Sequence, residues 1–275
     1  MKSLRTAFVS LLAVALLGWF LRHANLGDVW RRMLAADLGL LFGATLLFVP
    51  MMFIRAIRWQ YLMRPVGPVR IWHAWRATMI GFAASNVLPA RVGEVLRPFL
   101  LARSERLSTT SAFATIVVER LLDGLAVLFL LALYLSGLTG RHPESPLMTT
   151  IAASAGLTAA GIVLLLVLTA ALSARPDRVG RLVQRSERVL PARFAGALAR
   201  LAETFSHGLG VARSPRLLTQ SLLWTVGLWL TISAQTWIVT SAFGIVMSPG
   251  GTFLLQALLV IGIAVPTPGG VGGFH

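Results

Sequence analysis

Residues 217–275 have the sequence LLTQSLLWTVGLWLTISAQTWIVTSAFGIVMSPGGTFLLQALLVIGIAVPTPGGVGGFH, 59 positions without a single Asp, Glu, Lys or Arg. A soluble domain has charged residues at about one position in four, so an uncharged run of this length is typical of a membrane protein. The sequence SPGG at 248–251 divides the run into Leu217–Phe243, which is long enough to cross a bilayer, and the shorter Thr252–Val265, which ends at Pro266. The stretch therefore predicts one full transmembrane helix followed by a broken one.

The rest of the chain has the same character, since 56% of its 275 residues are hydrophobic and only 13% are charged. Other apolar segments occur at 6–21, 38–54, 111–136 and 151–172. The first could be a signal peptide, but no convincing cleavage site follows it, so we interpret it as a transmembrane anchor. We expect an all-α polytopic membrane protein, a single domain over residues 1–275, with about five full transmembrane helices and two re-entrant broken segments in a possible inverted repeat.

Segment length and charge both indicate how the segment Ala77–Ala90 enters the membrane. Its 14 residues would span about 21 Å as a helix, less than the hydrocarbon thickness of ~30 Å. If it re-enters, 20 basic residues face the cytoplasm and 4 face outward; if it spans, the better division is 16 to 8. The sequence therefore predicts a re-entrant segment, a cytoplasmic N-terminus and a multi-pass protein of the bacterial inner membrane.

Residues 174–215 form the one long polar connection, and we expect it to be cytoplasmic. Within it Phe194, Leu198, Leu201 and Phe205 recur at helical spacing, which predicts an amphipathic helix lying on the membrane surface. Such a helix could sense lipids, although a plain connector at the interface is the simpler interpretation.

The chain has a formal charge of +15 but no cysteine. Its basic residues lie between apolar runs, where they anchor loops and meet anionic lipid headgroups, so we expect no nucleic-acid partner. Disulfides and thiolate metal sites are excluded, and the scattered histidines predict neither a metal site nor a cofactor.

Three polar clusters are candidates for function, and the first surrounds the end of the re-entrant segment. Backbone that breaks at membrane depth must be buried in protein or line a wet cavity. Breaks are expected at Pro89 and Gly93, and Asn86 could bond the freed backbone. Two arginines could bind a phosphate while Glu94 orients them; alternatively, the arginines are simple membrane anchors. The members are Asn86, Pro89, Arg91, Gly93, Glu94 and Arg97.

The second cluster, Glu119, Arg120 and Asp123, lies in the fourth apolar segment. Glu119 and Asp123 share a helix face, and ionisable residues within a span indicate function by default. A shallow interfacial position, or structural pairing with Arg91 or Arg97, would also explain them.

The third cluster is the turn that follows the last apolar segment. Its glycines would let backbone N–H groups approach an anion, and its prolines stop any helix. The alternative is a flexible turn before another span. The members are Pro266, Pro268, Gly269, Gly270, Gly272 and Gly273.

Together the motifs NVLPARVGE at 86–94, VERLLDG at 118–124 and VPTPGGVG at 265–272 resemble those of the lysylphosphatidylglycerol synthase transmembrane-region family, also called flippase-like domain proteins. The resemblance covers essentially the whole chain. It implies lipid translocation between leaflets. It also implies a site formed by Asn86, Pro89, Arg91, Gly93, Glu94, Arg97, Glu119, Arg120, Asp123, Pro266, Pro268, Gly269 and Gly270.

From these observations we expect a flippase or transporter that moves an anionic phospholipid or lipid-linked carrier, with membrane lipids as its partners. A separate lipid synthase is a possible partner, because the soluble synthase domain of the family is absent here. The alternative is a membrane-embedded glycosyl- or aminoacyl-lipid transferase, or its membrane subunit, with Glu94 or Asp123 as general base. Family members usually continue past the Pro-Gly-Gly turn, so we expect further helix to follow His275 in a longer protein.

Overall fold

The computed structural model describes residues 25–88, 92–137, 146–184 and 192–264, and all regular structure in these ranges is helical. The expected all-α fold is thereby confirmed. The predicted first span at 6–21, Pro89, Arg91 and the Pro/Gly turn from Pro266 onward lie outside the described residues. The helices are α1 (Leu26–Leu34), α2 (Leu38–Leu46), α3 (Phe48–Met63), α4 (Ile71–Val87), α5 (Val92–Glu105), α6 (Thr109–Leu135), α7 (Pro146–Ala174), α8 (Pro176–Gln184), α9 (Ala192–Gly208), α10 (Pro215–Ala242) and α11 (Gly251–Ala264), with a 3-10 turn at Leu209–Arg213.

Three helical stretches of the described chain are long and apolar enough to cross a membrane: Leu38–Met63, Met148–Ala174 and Pro215–Ala242. The first comprises α2 and α3 together. Helix α6 is of similar length, 27 residues, but includes three charged side chains. The membrane class is therefore confirmed, whereas the total of about five spans stays a prediction.

The second span is longer than its uncharged run. Helix α3 continues nine residues past Ile54 to Met63, so Arg55 and Arg58 lie inside the helix. The predicted apolar segment 38–54 ended before both residues, and that boundary was wrong. The physical reason is that Arg58 is fully buried against carboxylates of another helix, and apolar packing resumes at the buried Trp59.

Helices α4 and α5 form an antiparallel hairpin. At its open end, Nδ1 of His73 lies 2.9 Å from Oε1 of Glu105. Their 17 and 14 residues extend about 25 and 21 Å, less than the ~30 Å hydrocarbon core. The hairpin therefore has the length and direction expected of a re-entrant segment.

Glycines allow the two helices of the hairpin to approach closely. A Cβ added at Gly93 would overlap the carbonyl oxygen of Gly81 and the backbone of Ser85. The predicted role of Gly93 as a helix breaker was wrong, because α5 begins at Val92 and Gly93 lies in its first turn. Its missing side chain serves packing instead.

Hydrogen bonds between helix ends define the two ends of the helix bundle. At the end with the open hairpin, Oγ of Ser111 donates to the carbonyl of Thr204 at 2.8 Å. At the opposite end, the N–H of Asp37 donates to the carbonyl of Ala242 at 2.9 Å. The start of α4 and the end of α5 therefore lie at the end of the bundle where α9 contacts α6.

The polar connection forms α8 and α9 as an amphipathic unit. Leu198 and Leu201 of α9 are exposed, while Phe205 packs against the core. Together with α6 and α7 they line an apolar cavity of about 400 Å³. The side chain of Phe194, the first member of the predicted stripe, lies outside the description, and contact with a membrane surface stays a prediction.

Helix α11 has 14 residues, or about 21 Å, and is the second short apolar helix of the fold. It packs against α6, where Ala257 contacts the buried cluster of Val127, Leu131 and Tyr134. The predicted break after it falls in residues that the structure does not describe.

Candidate functional site

A buried ionic cluster lies at the junction of α3, α5 and α6. Oε1 of Glu119 accepts hydrogen bonds from Nη2 of Arg58 at 2.6 Å and from Nη1 of Arg97 at 2.9 Å. All three side chains are buried, and Glu119 and Arg58 are completely inaccessible. Such a group is tolerated in a membrane span because each charge has a partner of opposite sign.

Arg58 also connects this cluster to α10. Its Nη1 forms an ion pair with Asp123 and donates to Oγ1 of Thr225 at 3.3 Å. Nε1 of Trp229 then donates to the same carboxylate oxygen of Asp123 at 3.1 Å. We refer to Arg58, Arg97, Glu119 and Asp123 as the ionic cluster; it joins four helices of the bundle.

A second ion pair lies toward the surface beside the ionic cluster. Nη2 of Arg120 lies 3.1 Å from Oε1 of Glu94, and its Nη1 lies 3.7 Å from Oδ2 of Asp123. The Arg120 and Glu94 side chains are 51% and 41% exposed, so solvent screens this pair strongly. It extends the polar region from the interior to the protein surface.

Arg97 is held on two sides but retains unused donors. Its guanidinium carbon lies 4.0 Å from the ring centroid of the buried Trp59, and Nε1 of Trp59 donates to Oγ1 of Thr115 at 3.1 Å. Within the described residues, Nε and Nη2 of Arg97 and Oε2 of Glu119 are buried and have no hydrogen-bond partner. A buried arginine with two free donors can accept an anionic ligand without breaking its pair with Glu119.

The fold brings together five of the residues chosen from sequence. The predicted pairing of the second cluster with Arg97 is found, through Glu119. Asn86 is exposed, and its Nδ2 donates to the carbonyl of Phe82 at 2.8 Å within its own helix. Pro89, Arg91 and the Pro/Gly turn are not described. The five residues in the junction are Glu94, Arg97, Glu119, Arg120 and Asp123.

Sequence reasoning missed Arg55, Arg58 and Trp229. The uncharged-run criterion ended the second span at Ile54 and so assigned both arginines to a loop. A signal was present: the arginines are three positions apart on one helix face, and apolar residues resume at Trp59. Trp229 had no distinguishing context in an apolar segment. Within the described ranges, no group of three or more acidic or histidine side chains could hold a metal ion.

The sequence matches the family described as lysylphosphatidylglycerol synthase TM region over residues 7–275. This chain belongs to that family. The match is consistent with the three motifs and with the all-helical bundle. No solved structure is matched by this chain.

Three archaeal proteins are similar in sequence to this chain. Glycosyltransferase AglD of Haloferax volcanii is 26% identical over 273 residues, which cover 86% of this chain but only 42% of that protein. A UPF0104 membrane protein of Pyrococcus horikoshii is 25% identical, over 99% of this chain and 84% of its own length. Another, of Methanothermobacter thermautotrophicus, is 25% identical, over 78% of this chain and 67% of its own length. The chain therefore spans about two fifths of the first relative and most of the second.

Proposed function

We propose that this protein moves an anionic phospholipid or lipid-linked carrier between the leaflets of the membrane. The observation that carries the proposal is Arg97, a buried guanidinium that keeps Nε and Nη2 without acceptors in the described part of the chain. Unpaired donors at a buried charge are unfavourable in an empty protein and become favourable when an anion binds. A lipid headgroup phosphate has the oxygens that such a fork accepts.

Glu119 prepares Arg97 for this role. Its carboxylate binds one guanidinium nitrogen, and Trp59 covers one face of the group, so the free nitrogens have a fixed direction. Fixing the side chain before the ligand arrives lowers the entropy that binding must overcome. Arg91, just before α5, belongs to the same proposed site on the strength of its motif.

The short helices support movement of a polar headgroup rather than a purely structural role. Paired short segments, broken by Pro and Gly, mark binding sites in transporters, and α4 with α5 and α11 are such segments in length. The half-exposed pair of Glu94 and Arg120 leads from the surface toward Arg97. A headgroup could follow this polar path while its acyl chains stay in lipid.

A membrane-embedded lipid transferase is the second candidate, because one relative is named a glycosyltransferase. The match covers only 42% of that relative, so its activity could reside elsewhere in it. In the present chain, Asp123 and Glu119 are both engaged by Arg58, which limits their use as a general base. Glu94 is more accessible than these two carboxylates and is the better candidate for a general base. We regard transport, with a separate synthase as possible partner, as better supported than transfer.

The test is transbilayer movement of a fluorescent phosphatidylglycerol in liposomes that contain the purified protein. We expect acceleration without chemical change of the lipid, and Arg97→Ala should lower apparent affinity by about ten- to a hundredfold. Arg97→Lys should also be impaired, because an ammonium cannot replace the planar fork. Arg103→Lys, at an exposed site on the same helix, is the matched control and should behave as wild type.

One result would count against transport, and another would count against the role of Arg97 in it. Recovery of a covalently altered lipid with unchanged leaflet distribution would favour the transferase. Wild-type movement by Arg97→Lys at equal amounts of folded protein would show that Arg97 is an anchor and not a headgroup ligand.

A further inference from the structure

Arg55 is a charged side chain that the ionic cluster leaves without a counter-ion. It lies on α3 three residues before Arg58, and is therefore on the same face of the helix as that buried residue. Among the described residues Arg55 makes neither a hydrogen bond nor an ion pair, and its Nε is buried. Arg58 by contrast is paired with both Glu119 and Asp123.

The position of Arg55 makes this lack of a partner unfavourable. It is eight residues from the end of α3 at Met63, or about 12 Å along the helix axis. Residues near a helix end can extend their charged groups to the membrane surface, but Arg55 lies two turns deeper. Its side chain is also partly covered by protein.

The charges around Arg55 indicate what kind of partner is missing. Arg58, one helical turn from Arg55, shares Oε1 of Glu119 with Arg97, so both members of the cluster's arginine pair lie beside the Arg55 face of α3. Within the ionic cluster, two arginines face two carboxylates, so those four charges balance. Arg55 adds one positive charge that no described carboxylate neutralises. Nearby, Arg97 has two free donors of its own.

We infer that Arg55 is an anion-binding residue that shares a phosphate group with Arg97, with the phosphate taking the place of the missing counter-ion. The inference deepens the proposed function and rests on it for the identity of the ligand as a lipid phosphate. Two guanidinium groups from α3 and α5 would then hold one phosphate, each through charge-assisted hydrogen bonds. Arg58 keeps a different role, because its ion pairs with Glu119 and Asp123 hold those two carboxylates in place.

A binding experiment on the full-length protein in detergent micelles tests this inference separately from transport. The probes are dioctanoyl phosphatidylglycerol, dioctanoylglycerol with the same chains but no phosphate, and inorganic phosphate. Binding is followed by tryptophan fluorescence and by the ligand-induced rise in apparent Tm. The variants are Arg55→Gln, Arg55→Lys and, as matched control, Arg64→Gln, one residue past α3, where the guanidinium lies 4.3 Å from the Tyr61 ring centroid.

We expect Arg55→Gln to weaken phosphatidylglycerol binding by about ten- to a hundredfold. Arg55→Lys should weaken it less, and Arg64→Gln should have no effect. Binding of dioctanoylglycerol should not depend on Arg55. If inorganic phosphate binds with the same dependence on Arg55, the subsite recognises phosphate itself; if only the lipid does, it recognises phosphate borne by a lipid.

Unchanged phosphatidylglycerol affinity in both Arg55 variants would overturn the inference, including the case in which only the ligand-free Tm falls. The proposed function would survive that result if Arg97→Lys still lost affinity and transport. Conversely, Arg55-dependent binding by a protein that moves no lipid in liposomes would refute transport and leave the subsite in place.

Discussion

Replacing Glu119 by Gln tests whether the ionic cluster depends on charge or only on shape. The side chain of Gln has nearly the same volume and keeps an oxygen at the position where Arg58 and Arg97 donate, at 2.6 and 2.9 Å. It removes the negative charge that both buried guanidinium groups face. Any effect of the substitution therefore reports on electrostatics and not on a cavity.

The expected loss of stability follows from these two hydrogen bonds. Gln still accepts from both charged guanidinium groups, so each hydrogen bond stays charge-assisted but loses the attraction between opposite charges, which we take as about 1 kcal/mol per bond. We expect Glu119→Gln to lower the free energy of unfolding by about 2 kcal/mol. Glu119→Ala removes the acceptor as well and should cost about 3–5 kcal/mol, the usual penalty for an uncompensated buried charge.

The measurement is unfolding of the purified protein in one detergent at one pH, followed by tryptophan fluorescence. Glu94→Gln is the matched control, because the same chemical change occurs in an ion pair that is about half exposed; it should cost less than about 1 kcal/mol. Equal stability of Glu119→Gln and wild type would refute the role of Glu119 as an ionic anchor. Equal losses in Glu119→Gln and Glu94→Gln would refute the argument from burial.

Further predictions concern the α4 and α5 hairpin. Gly93→Ala should destabilise the protein by about 1–3 kcal/mol, because the new Cβ overlaps the Gly81 carbonyl. Gly227→Ala is the control: its Cβ would meet open space, so it should be neutral or slightly stabilising in the same unfolding assay. A single cysteine at Ser104, in this otherwise cysteine-free chain, should react with membrane-impermeant reagents from the cytoplasmic side; a cysteine at Ser85 should react from the same side but more slowly, and labelling of Ser104 only from outside would contradict the re-entrant arrangement.

Hydropathy predicted the helical membrane class because the property is spread over many residues. The run 217–275 needs no particular side chain to be apolar, and α10 and α11 are found in the two parts that SPGG separates. The shortness of Ala77–Ala90 likewise predicted a segment that turns back; α4, which begins earlier at Ile71, forms a hairpin with α5, and re-entry of this hairpin into the membrane stays a prediction. Predictions from segment length and average composition stay correct even when single positions are misinterpreted.

Helix boundaries near charged residues were less predictable, since charge alone does not tell whether a side chain will find a partner. Arg58 and Arg64 look equivalent in sequence, yet one is fully buried against two carboxylates and the other lies past the end of α3. The difference depends on Glu119 and Asp123, which are more than sixty positions away in the chain. A loop assignment for Arg58 was reasonable locally and wrong because of a tertiary contact.

The same contact explains why the candidate site was only partly predictable. Glu119 and Asp123 were identified because an acidic pair inside an apolar segment is conspicuous, and such a pair requires buried cations somewhere. Arg97 was identified by its motif, but one Arg cannot neutralise two buried carboxylates, so a second buried Arg was required by charge balance. Arg58 meets that requirement, and once it is placed there, its neighbour Arg55 is the charge that remains to be balanced. Charge balance therefore shows from the sequence that a second buried arginine is needed, whereas only the tertiary contacts of α3 with α6 show that it is Arg58.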